Sequence, residues 1–460
     1  MVALADYDLS TPKFRVASKS IQIANLASHR LYKKAEKTAV EKNAELAFDI
    51  SYVNNNEYSI DDFALLDILP YNNDGRGTNY HGDYMVKNIE VEMEDIESKE
   101  NTDTSSLQLY STSSTDIYGT DAKNVDLSNF TQCSFGELKK QMLAYYIKGS
   151  VPKKTKLNVR LVLVPKGNTA NDVYANDTSC QTSLNTEKIQ TPAVKIGVMY
   201  REINGCVWND LNKDGYRADS EKLLTGYQIK LTDDTGNPVK DIDGNIVQPC
   251  SLDSTGRYIF KNLKQGDYQV SLIRKNGWDQ SKVTTGNKNN DAENENGTSV
   301  IKNIHLWTEE EMNAKQVYSY IASDYDIGIY KRPEVTIIKK LNLKDVIWEK
   351  GNPTFLFKIT GTDVNGVRQE FCREVTFHKN DAEQKEISFR VPAGTYTVSE
   401  IPVWGYRTKA VTAGDHCTVK DDNAILDTIS AESASCTYEN EVSNYGKFTD
   451  KNVIVNELKK

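Results

Sequence analysis

Short segments of alternating apolar and polar residues recur along the whole chain. KLNVRLVLVP (156–165) and TFLFKITGTD (354–363) show the alternation most clearly. Because successive side chains of a strand point to opposite faces, this pattern predicts strands with one buried and one exposed face. Turns rich in Gly, Asn and Asp separate the segments, and no apolar run is long enough to span a bilayer. We therefore predict an all-β protein with no membrane span in this chain.

A repeated strand pattern divides the chain into domains. Its 460 residues correspond to about three domains of ordinary size. The phrase G-x-Y-x-V occurs twice in similar surroundings, as GDYQV (266–270) and GTYTV (394–398). We predict tandem immunoglobulin-like β-sandwiches. Their expected limits are 1–200 for an N-terminal module with its core from about 28, 201–332 for the second, 333–447 for the third, and 448–460 for a polar tail.

Three parts of the N-terminal module carry more specific predictions. The alternation in 45–70, interrupted by a polar turn, predicts two strands paired as a hairpin. FGELKKQMLAYYI (135–147) spaces its apolar residues as a helix does and is predicted to be one. The segment 100–124 is rich in Ser, Thr and Asp and is predicted to be an exposed, mobile excursion.

Charge and composition exclude several classes of function. The net charge is −9 and no sustained Lys/Arg cluster occurs, which argues against a nucleic-acid partner. The 7 cysteines form no C-x-x-C pair, which argues against zinc. The 5 histidines are scattered, and neither G-x-S-x-G nor H-E-x-x-H is present. A secreted hydrolase, or a carbohydrate- or matrix-binding module with accessory sandwiches, stays open as an alternative.

The loop DLNKDGYRADSE (210–221) has the spacing of a calcium-binding loop. Its oxygen-bearing positions fit D-x-[DN]-x-[DN]-G-x5-E, which predicts as ligands the side chains of Asp210, Asn212, Asp214 and Glu221 and the carbonyl of Tyr216. Calcium prefers such hard oxygen ligands. The flanking residues are typical of strands instead of helices, so we predict an EF-hand-like loop on a β-scaffold. The alternative is a polar turn without metal.

The surroundings of this loop resemble a known family. GCVWNDLNKDGYRADSE, TGYQIKL, GRYIFKNLKQGDYQVSL and DYDIGIYK together resemble the calcium-binding B domains of Gram-positive surface adhesins of the serine-aspartate repeat type. The resemblance implies a calcium-stiffened spacer of a cell-wall protein. A second acidic stretch, NKNNDAENENG (287–297), is followed later by Asp324 and Asp326. Either a further calcium site or a solvated loop would explain the acidic composition of this stretch.

A lysine lies where the third sandwich should be apolar. In VTIIKKL (335–341), alternation places Lys339 on the same face as Val335 and Ile337. Glu400 is likewise a charged residue on an apolar face, because alternation places it with Tyr396 and Val398. Burial disfavours charge, so it lowers the pKa of an amine and raises that of a carboxylic acid. Asn440, in the last strand, supplies a third polar group.

These three residues resemble the signature of collagen-adhesin B-type pilin domains, which form an intramolecular isopeptide bond. The resemblance implies that Lys339 is the nucleophile, Asn440 the electrophile and Glu400 the proton shuttle. If the register of the strands differs by one position or one turn, Lys340 would take the place of Lys339 and Asn444 that of Asn440. The alternative is that Lys339 extends to the rim and only pairs with Glu400. The first strand of the second sandwich has no such lysine, which favours metal there.

The N-terminal module has a comparable set of residues. FALLDILPYNNDGRG, HGDYMVKNIEV and VPKGNTANDVYAN resemble the β-sandwich modules that precede such B domains in large Firmicute surface proteins. An analogous bond would join Lys33 or Lys34 to Asn176, with Asp67 as the acid.

Together these features predict a structural or adhesive cell-surface protein, of the pilus or stalk kind, and not a turnover enzyme. The expected partners are a host matrix protein or glycan and sortase-linked neighbours in the wall or pilus. We expect an extracellular, wall-anchored location, with the secretion signal and the anchor outside this chain.

Overall fold

The computed structural model describes residues 29–183 and 188–443. The fold is nearly all β, with 54% strand and 4% helix, so the predicted all-β class is confirmed. Among the described residues, no helix has the length and apolar character needed to cross a bilayer. The tail over 448–460 and Asn444 lie outside the described residues.

The chain forms two compact units. The first contains the described residues up to Met199 together with Glu309–Tyr318, and the second contains Tyr200–Thr308 and the described residues from Ser319 onward. The elements of the first unit are β1 (His29–Ala35), β2 (Ala39–Val40), β3 (Leu46–Asn54), β4 (Ile60–Ile68), β5 (Asp83–Asp95), β6 (Asn101–Thr102), β7 (Gln108–Thr112), β8 (Thr131–Cys133), β9 (Gly136–Lys140), β10 (Ala144–Val151), β11 (Thr155–Lys166), β12 (Val173–Asn176), β13 (Ser179–Gln181), β14 (Ile189–Gln190), β15 (Val194–Val198), the α-helix α1 (Glu309–Ala314), and short 3-10 helices at Thr115–Ile117 and Leu127–Asn129.

Two facing sheets enclose the core of the first unit. One has the order β1-β3-β11-β5-β6, with β9 also on β5, and the other has the order β14-β13-β4-β10-β7-β8. A small sheet, β12-β15-β2, lies beside them. Tyr52 of β3 and Phe63 of β4 meet between the sheets, with ring centroids 4.5 Å apart. Such contacts between opposite inner faces are those of a β-sandwich.

The hairpin predicted for 45–70 is wrong. Both strands exist, but β3 pairs with β1 and β11, whereas β4 pairs with β10 and β13 in the opposite sheet. Each strand carries an apolar face, and burying both faces against each other requires the chain to cross between sheets.

The helix predicted for 135–147 is also wrong. The segment forms β9, in which Lys139 has a φ of 45°, and the start of β10, with a break between the two strands at 141–143. Ala144, Tyr145, Tyr146 and Ile147 are all buried, and β10 lies between β4 and β7. Neighbouring strands on both sides satisfy its backbone, so tertiary pairing overrides the helical spacing of a few apolar residues.

The exposed excursion predicted for 100–124 is only partly exposed. It contains β7, and its few apolar residues are buried, among them Leu107, Leu109 and Ile117. Ile117 packs with Leu66 and Tyr146 in an outer cluster over the β4 and β10 sheet. The polar composition of this segment led to the wrong prediction, because its few apolar residues are enough to pack the segment onto the sheet.

The second unit continues the numbering from β16. Its strands are β16 (Tyr200–Asn209), β17 (Gln228–Asp233), β18 (Cys250–Ser251), β19 (Arg257–Phe260), β20 (Gly266–Ile273), β21 (Trp278–Gln280), β22 (Glu293–Glu295), β23 (Thr298–Leu306), β24 (Ser319–Ala322), β25 (Ile327–Lys331), β26 (Glu334–Leu341), β27 (Thr354–Asp363), β28 (Arg368–Thr376), β29 (Gln384–Arg390), β30 (Gly394–Glu400), β31 (Tyr406–Ala413), β32 (Cys417–Lys420), β33 (Asn423–Asp427) and β34 (Ser433–Val442), with short 3-10 helices at Leu343–Asp345 and Trp348–Lys350.

This unit contains two sandwiches in series, each with its own core. The sheets β19-β16-β25-β21, with β24 also on β16, and β18-β17-β20-β23-β22 enclose a core that runs from Ile203 to Ile329. The sheets β29-β26-β34-β31 and β28-β27-β30-β33-β32 enclose another from Val335 to Tyr438. In both sandwiches the first and last strands lie side by side and run parallel, β16 with β25 and β26 with β34.

The repeated phrase G-x-Y-x-V occupies equivalent places in the two sandwiches. It forms β20 and β30, each an inner strand of a five-stranded sheet. The Tyr268 hydroxyl donates to the Lys264 carbonyl at 2.8 Å, and the Tyr396 hydroxyl donates to the Pro392 carbonyl at 2.6 Å. Each buried tyrosine thus closes the turn four residues before it, which explains why both sandwiches carry the phrase.

One segment of the predicted second domain packs in the first unit. Between β23 and β24 the residues Glu309–Tyr318 form α1 and a turn assigned to that unit. Asn313 Oδ1 accepts from the Thr38 and Ala39 backbone N–H groups at 2.8 and 3.0 Å, and its Nδ2 donates to the Ala39 carbonyl at 2.8 Å. A side chain on Gly197 would clash with Tyr318, whose ring lies 2.1 Å from the Cβ position.

We expect Asn313→Ala to loosen this segment because it leaves backbone groups of Thr38 and Ala39 without partners. Losing such hydrogen bonds costs about 1 to 3 kcal/mol in the free energy of unfolding. Urea denaturation and the rate of proteolysis within 309–318 would measure it. Glu310→Ala, an exposed change on the same helix, is the matched control. Equal behaviour of the two variants would contradict the assignment.

Candidate functional site

The parallel pairing of β26 and β34 brings the predicted crosslinking residues of the third sandwich together. Lys339 lies opposite Tyr438, and Leu341 lies opposite Asn440. Paired residues of neighbouring strands point to the same face, and on both strands this face is buried. Lys339 is 0% exposed and Asn440 is 5% exposed, so an ammonium and an amide occupy positions that alternation assigns to the core.

Lys339 is surrounded by aromatic rings and a single carboxylate. Its Nζ lies 2.6 Å from Glu400 Oε1, 4.2 Å from the Phe355 ring centroid and 5.9 Å from that of Phe357. Within the described ranges Nζ has no other polar partner. Burial lowers the pKa of Lys339 to about 8, and Glu400 opposes this shift. The neutral form of this amine is therefore far more populated near neutral pH than that of an exposed lysine, although the ammonium form still predominates.

Glu400 contacts both prospective reactants. Its Oε1, already close to Lys339, also accepts a hydrogen bond from Asn440 Nδ2 at 3.2 Å. The Glu400 side chain is 4% exposed. Asn440 Oδ1 is buried and has no hydrogen-bond partner in the described part of the chain. One carboxylate oxygen thus bridges the amine and the nitrogen that would leave as ammonia.

The alternative residues do not share this position. Lys340 is exposed on the opposite face of β26, and Asn444 lies outside the described residues. The alternative in which Lys339 extends to the rim is not what the structure shows, because the side chain is fully buried. An unreacted ion pair between Lys339 and Glu400 is still compatible with this geometry.

A second buried lysine and carboxylate occur in the first unit. Lys33 of β1 lies 2.5 Å from Asp67 of β4, and both side chains are 0% exposed. The Tyr145 hydroxyl donates to the same Asp67 oxygen at 3.0 Å. Burial lowers the pKa of Lys33, and Asp67 opposes this. Lys34, the alternative, has a side chain that is 75% exposed, so the geometry selects Lys33.

Asn176, the proposed electrophile of the first unit, is next to this pair. Lys33 Nζ donates to the Asp177 carbonyl at 3.1 Å, and Asn176 immediately precedes Asp177 at the end of β12. Asn176 is fully buried, and its Nδ2 has no hydrogen-bond partner among the described residues. Each unit therefore contains a buried lysine in contact with an acid, and in the first unit this lysine also contacts the residue that follows the buried amide.

The predicted calcium loop begins where β16 ends. Asp210 is fully buried and its Oδ2 accepts from the Gly215 N–H at 2.9 Å, while Oδ1 has no hydrogen-bond partner in the described chain. Burial, followed by smaller effects that include the charge of Glu221, raises the pKa of Asp210. Glu221 closes the loop by accepting the N–H groups of Leu211 and Ala218 at 2.8 and 2.9 Å.

The remaining predicted ligands lie at the exposed rim of this loop. Asn212, Asp214 and Tyr216 are exposed, and Asn212 Nδ2 donates to Asp214 Oδ2 at 2.8 Å. In the described residues no three side chains of Asp, Glu, His or Cys converge as metal ligands. The loop therefore offers hard oxygens, including one buried carboxylate oxygen without a partner, and these fit calcium in chemistry.

The second acidic stretch is held against Asp326 by two hydrogen bonds of Asp291. The Asp326 N–H donates to Asp291 Oδ2 at 2.9 Å, and the Asp291 N–H donates to the Asp326 carbonyl at 3.0 Å. Asp324 is exposed with a φ of 65°. Both explanations given above for this stretch are compatible with such an arrangement.

Lys213, inside the predicted calcium loop, has a contact that the sequence did not predict. It is 5% exposed, and its Nζ donates to the Ala431 carbonyl of the third sandwich at 3.2 Å. Burial lowers the pKa of Lys213, and Asp210 opposes this. The contact joins residues 218 positions apart, so no local pattern could have indicated it. The loop thus connects the two sandwiches of the second unit.

We expect Lys213→Met to weaken this connection because it keeps the aliphatic chain but removes the donor to Ala431. An unpartnered buried carbonyl costs about 1 to 3 kcal/mol. Proteolysis of the full chain near Arg332 and Pro333, together with urea denaturation, would report the loss. Lys222→Met, at an exposed position beside the loop, is the control. An unchanged cleavage rate for Lys213→Met would rule out this role.

Part of the chain matches a known domain family. Residues 201–318 match the family model described as SdrD B-like domain. The chain is 27% identical over 213 residues to serine-aspartate repeat-containing protein D of Staphylococcus aureus, covering 45% of this chain and 14% of that protein. It is 25% identical over 226 residues to serine-aspartate repeat-containing protein F of Staphylococcus epidermidis, covering 48% and 11%.

Similarity to solved structures is weaker. The chain aligns with BcpA, the major pilin subunit of Bacillus cereus, at 10% identity and a TM-score of 0.29, covering 65% of this chain and 70% of that one. For the group B streptococcus pilus 2b backbone protein the values are 13%, 0.29, 65% and 97%. Such low TM-scores do not establish a common fold. The matched stretch spans about a seventh of the length of the staphylococcal protein D, and by sequence the chain is homologous to staphylococcal serine-aspartate repeat proteins.

Proposed function

We propose that this chain is a structural and adhesive part of a Gram-positive cell-surface protein, stiffened by covalent crosslinks and by calcium. The contact that carries the proposal is the buried group of Lys339, Glu400 and Asn440, in which one carboxylate oxygen contacts both an amine and an amide. Homology to serine-aspartate repeat proteins supports the surface location. A host matrix protein or glycan, and sortase-linked neighbours, are the partners we propose.

The proposed reaction joins Lys339 to Asn440 once per chain. Lys339 passes a proton to Glu400, and its neutral amine attacks the side-chain carbonyl carbon of Asn440. Glu400 then delivers this proton to the amide nitrogen, which leaves as ammonia, and takes the surplus proton from the attacking nitrogen. One C–N bond forms, one breaks, and the chain loses one NH3. Phe355 and Phe357 exclude water, which favours the neutral amine. Because the reaction consumes its own residues, this is self-modification and not turnover.

A bond at this position would protect the third sandwich from tension. β26 enters the sandwich and β34 leaves it, and the two strands lie side by side. Force applied through the chain would then pass from Lys339 to Asn440 through the new amide. The strands between them, β27 to β33, would carry none of it. This is the property that a stalk needs.

We propose an analogous bond in the first unit, between Lys33 and Asn176 with Asp67 as the acid. Support comes from the burial of the Lys33 side chain, Asp67 and Asn176, and from the 2.5 Å contact between Lys33 and Asp67. Each unit would then lose one molecule of ammonia.

Calcium is the second proposed fastener. Asp210, Asn212, Asp214, the Tyr216 carbonyl and Glu221 would hold it. Bound calcium would supply positive charge to Asp210, whose Oδ1 has no other partner among the described residues. Only glycine fits at position 215, since φ is 80° and a Cβ would lie 2.2 Å from the Lys282 carbonyl oxygen. The sharp turn that the proposed site needs is therefore present.

We expect the intact mass of the protein to lie about 34 Da below the sequence mass, because each bond removes about 17 Da as ammonia. Lys339→Ala should reduce the deficit to about 17 Da and lower stability by about 4 kcal/mol, by analogy with other bonds that close a long loop. Glu400→Gln should reduce the deficit in the same way. Lys340→Ala is the control, since this neighbour lies on the exposed face. A full deficit in Lys339→Ala would contradict the crosslink.

We expect calcium to raise the melting temperature of the second unit, and a chelator to lower it, because a ligand of the folded state stabilises that state by mass action. Asp210→Asn should abolish the calcium-dependent part of the shift. Asp267→Asn, an exposed aspartate of the same sandwich, should leave it unchanged. Identical melting curves with calcium and with chelator would remove the metal proposal.

A further inference from the structure

Arg76 is an additional charged group at the crosslinking residues of the first unit. Its side chain is 12% exposed, and Nη1 donates to Asn176 Oδ1 at 3.2 Å. It lies in the loop between β4 and β5, within the sequence NNDGRG. Nothing in the alternation or spacing of that loop indicates that its arginine reaches Asn176, which is 100 positions away.

The surrounding residues fix the guanidinium in place. Nε donates to Asp74 Oδ2 at 2.9 Å, and Nη1 donates to Asp177 Oδ1 at 2.9 Å. The same Nη1 donates to the Ile68 carbonyl at 2.7 Å, and Nη2 donates to the Leu69 carbonyl at 2.9 Å. A donor held from several sides needs no reorganisation when charge develops on the atom that it contacts.

The two proposed crosslinking sites hold their amides in opposite ways. In the third sandwich, Asn440 is bound through its nitrogen, which donates to Glu400, while its oxygen has no partner in the described chain. In the first unit, Asn176 is bound through its oxygen, while its nitrogen has no partner in the described chain. A guanidinium can only donate, so the amide atom that it contacts must be the oxygen.

We propose that Arg76 is a catalytic residue of the Lys33 and Asn176 crosslink, in which it stabilises the oxyanion. This inference rests on the crosslink proposed above. Attack of the Lys33 amine on the Asn176 carbonyl carbon moves an electron pair onto Oδ1, where Arg76 Nη1 donates. Asp67 accepts a proton from the Lys33 nitrogen and delivers it to the amide nitrogen. The C–N bond of the amide then breaks, ammonia leaves, and one new amide bond remains.

The charge of Arg76 has a second effect on the nucleophile. Burial is the largest cause that lowers the pKa of Lys33, and Arg76 adds to it, whereas Asp67 and Asp177 oppose it. A positive charge that polarises the electrophile thus also favours the neutral amine. The two effects act on the same reaction.

The test uses the full chain, which contains an internal control. Wild-type protein, unfolded before it reacts and then refolded, should lose two molecules of ammonia, and peptide mapping assigns one to each unit. Arg76→Gln should form the Lys339 and Asn440 bond at the normal rate and the Lys33 and Asn176 bond about 100-fold more slowly, since an oxyanion donor contributes that order of rate. Asn176→Ala shows how the first unit folds without its bond.

Each outcome decides the matter. Equal rates of both bonds in wild type and Arg76→Gln would overturn the role of Arg76 while leaving the crosslink. A wild-type protein with no bond in the first unit would overturn both. Misfolding of Arg76→Gln would show as lower protease resistance than that of Asn176→Ala. In that case Arg76→Lys is the deciding variant, because lysine keeps the positive charge but lacks the forked donors of the guanidinium. We expect Arg76→Lys to react at least tenfold more slowly than wild type, and an unchanged rate would refute the proposal.

Discussion

The cost of burying an ammonium group is the constraint on which both candidate crosslinks depend. Lys33 and Lys339 are each fully buried, and each contacts one carboxylate. Removing two charges from water costs several kcal/mol per ion, and their attraction only partly offsets this, so a buried ion pair is weak support for stability. Conversion of the amine to an amide removes that charge permanently. The burial that would destabilise an unreacted sandwich is thus the condition that makes the reaction favourable.

The two proposed crosslinks would activate their amides differently, and the surroundings of the two lysines explain the difference. Around Lys339 the neighbours are the rings of Phe355 and Phe357, and Glu400 is the one polar group of the described residues that contacts both Lys339 and Asn440. Around Lys33 the neighbours include Asp177 and Arg76, and the site is more polar. An arginine can be buried there because Asp74 and Asp177 both accept its hydrogen bonds, whereas the aromatic site places one carboxylate, Glu400, beside Lys339 in the described part of the chain.

Most of the correct predictions about strands and their buried faces came from the alternation of apolar and polar residues within single strands. It places Lys339 on the face of Val335 and Ile337, and the structure buries all three. Alternation failed for 135–147, where helical spacing and strand pairing competed and only the neighbouring strands decided. It could not choose between Lys33 and Lys34, because the choice depends on which face of β1 meets β4. Lys213 and Arg76 were missed because their contacts join distant parts of the chain.

The second and third sandwiches place their proposed fasteners at the same topological point. In each, the first and last strands run parallel side by side. In the third, this pairing brings Lys339 and Asn440 onto one face. In the second, the calcium loop starts directly from that pairing, since the Asp210 N–H donates to the Ile329 carbonyl of β25 at 2.9 Å. Tension applied along the chain would enter and leave a sandwich through these strands, so the proposed amide or ion at this point would resist it with the fewest intervening bonds.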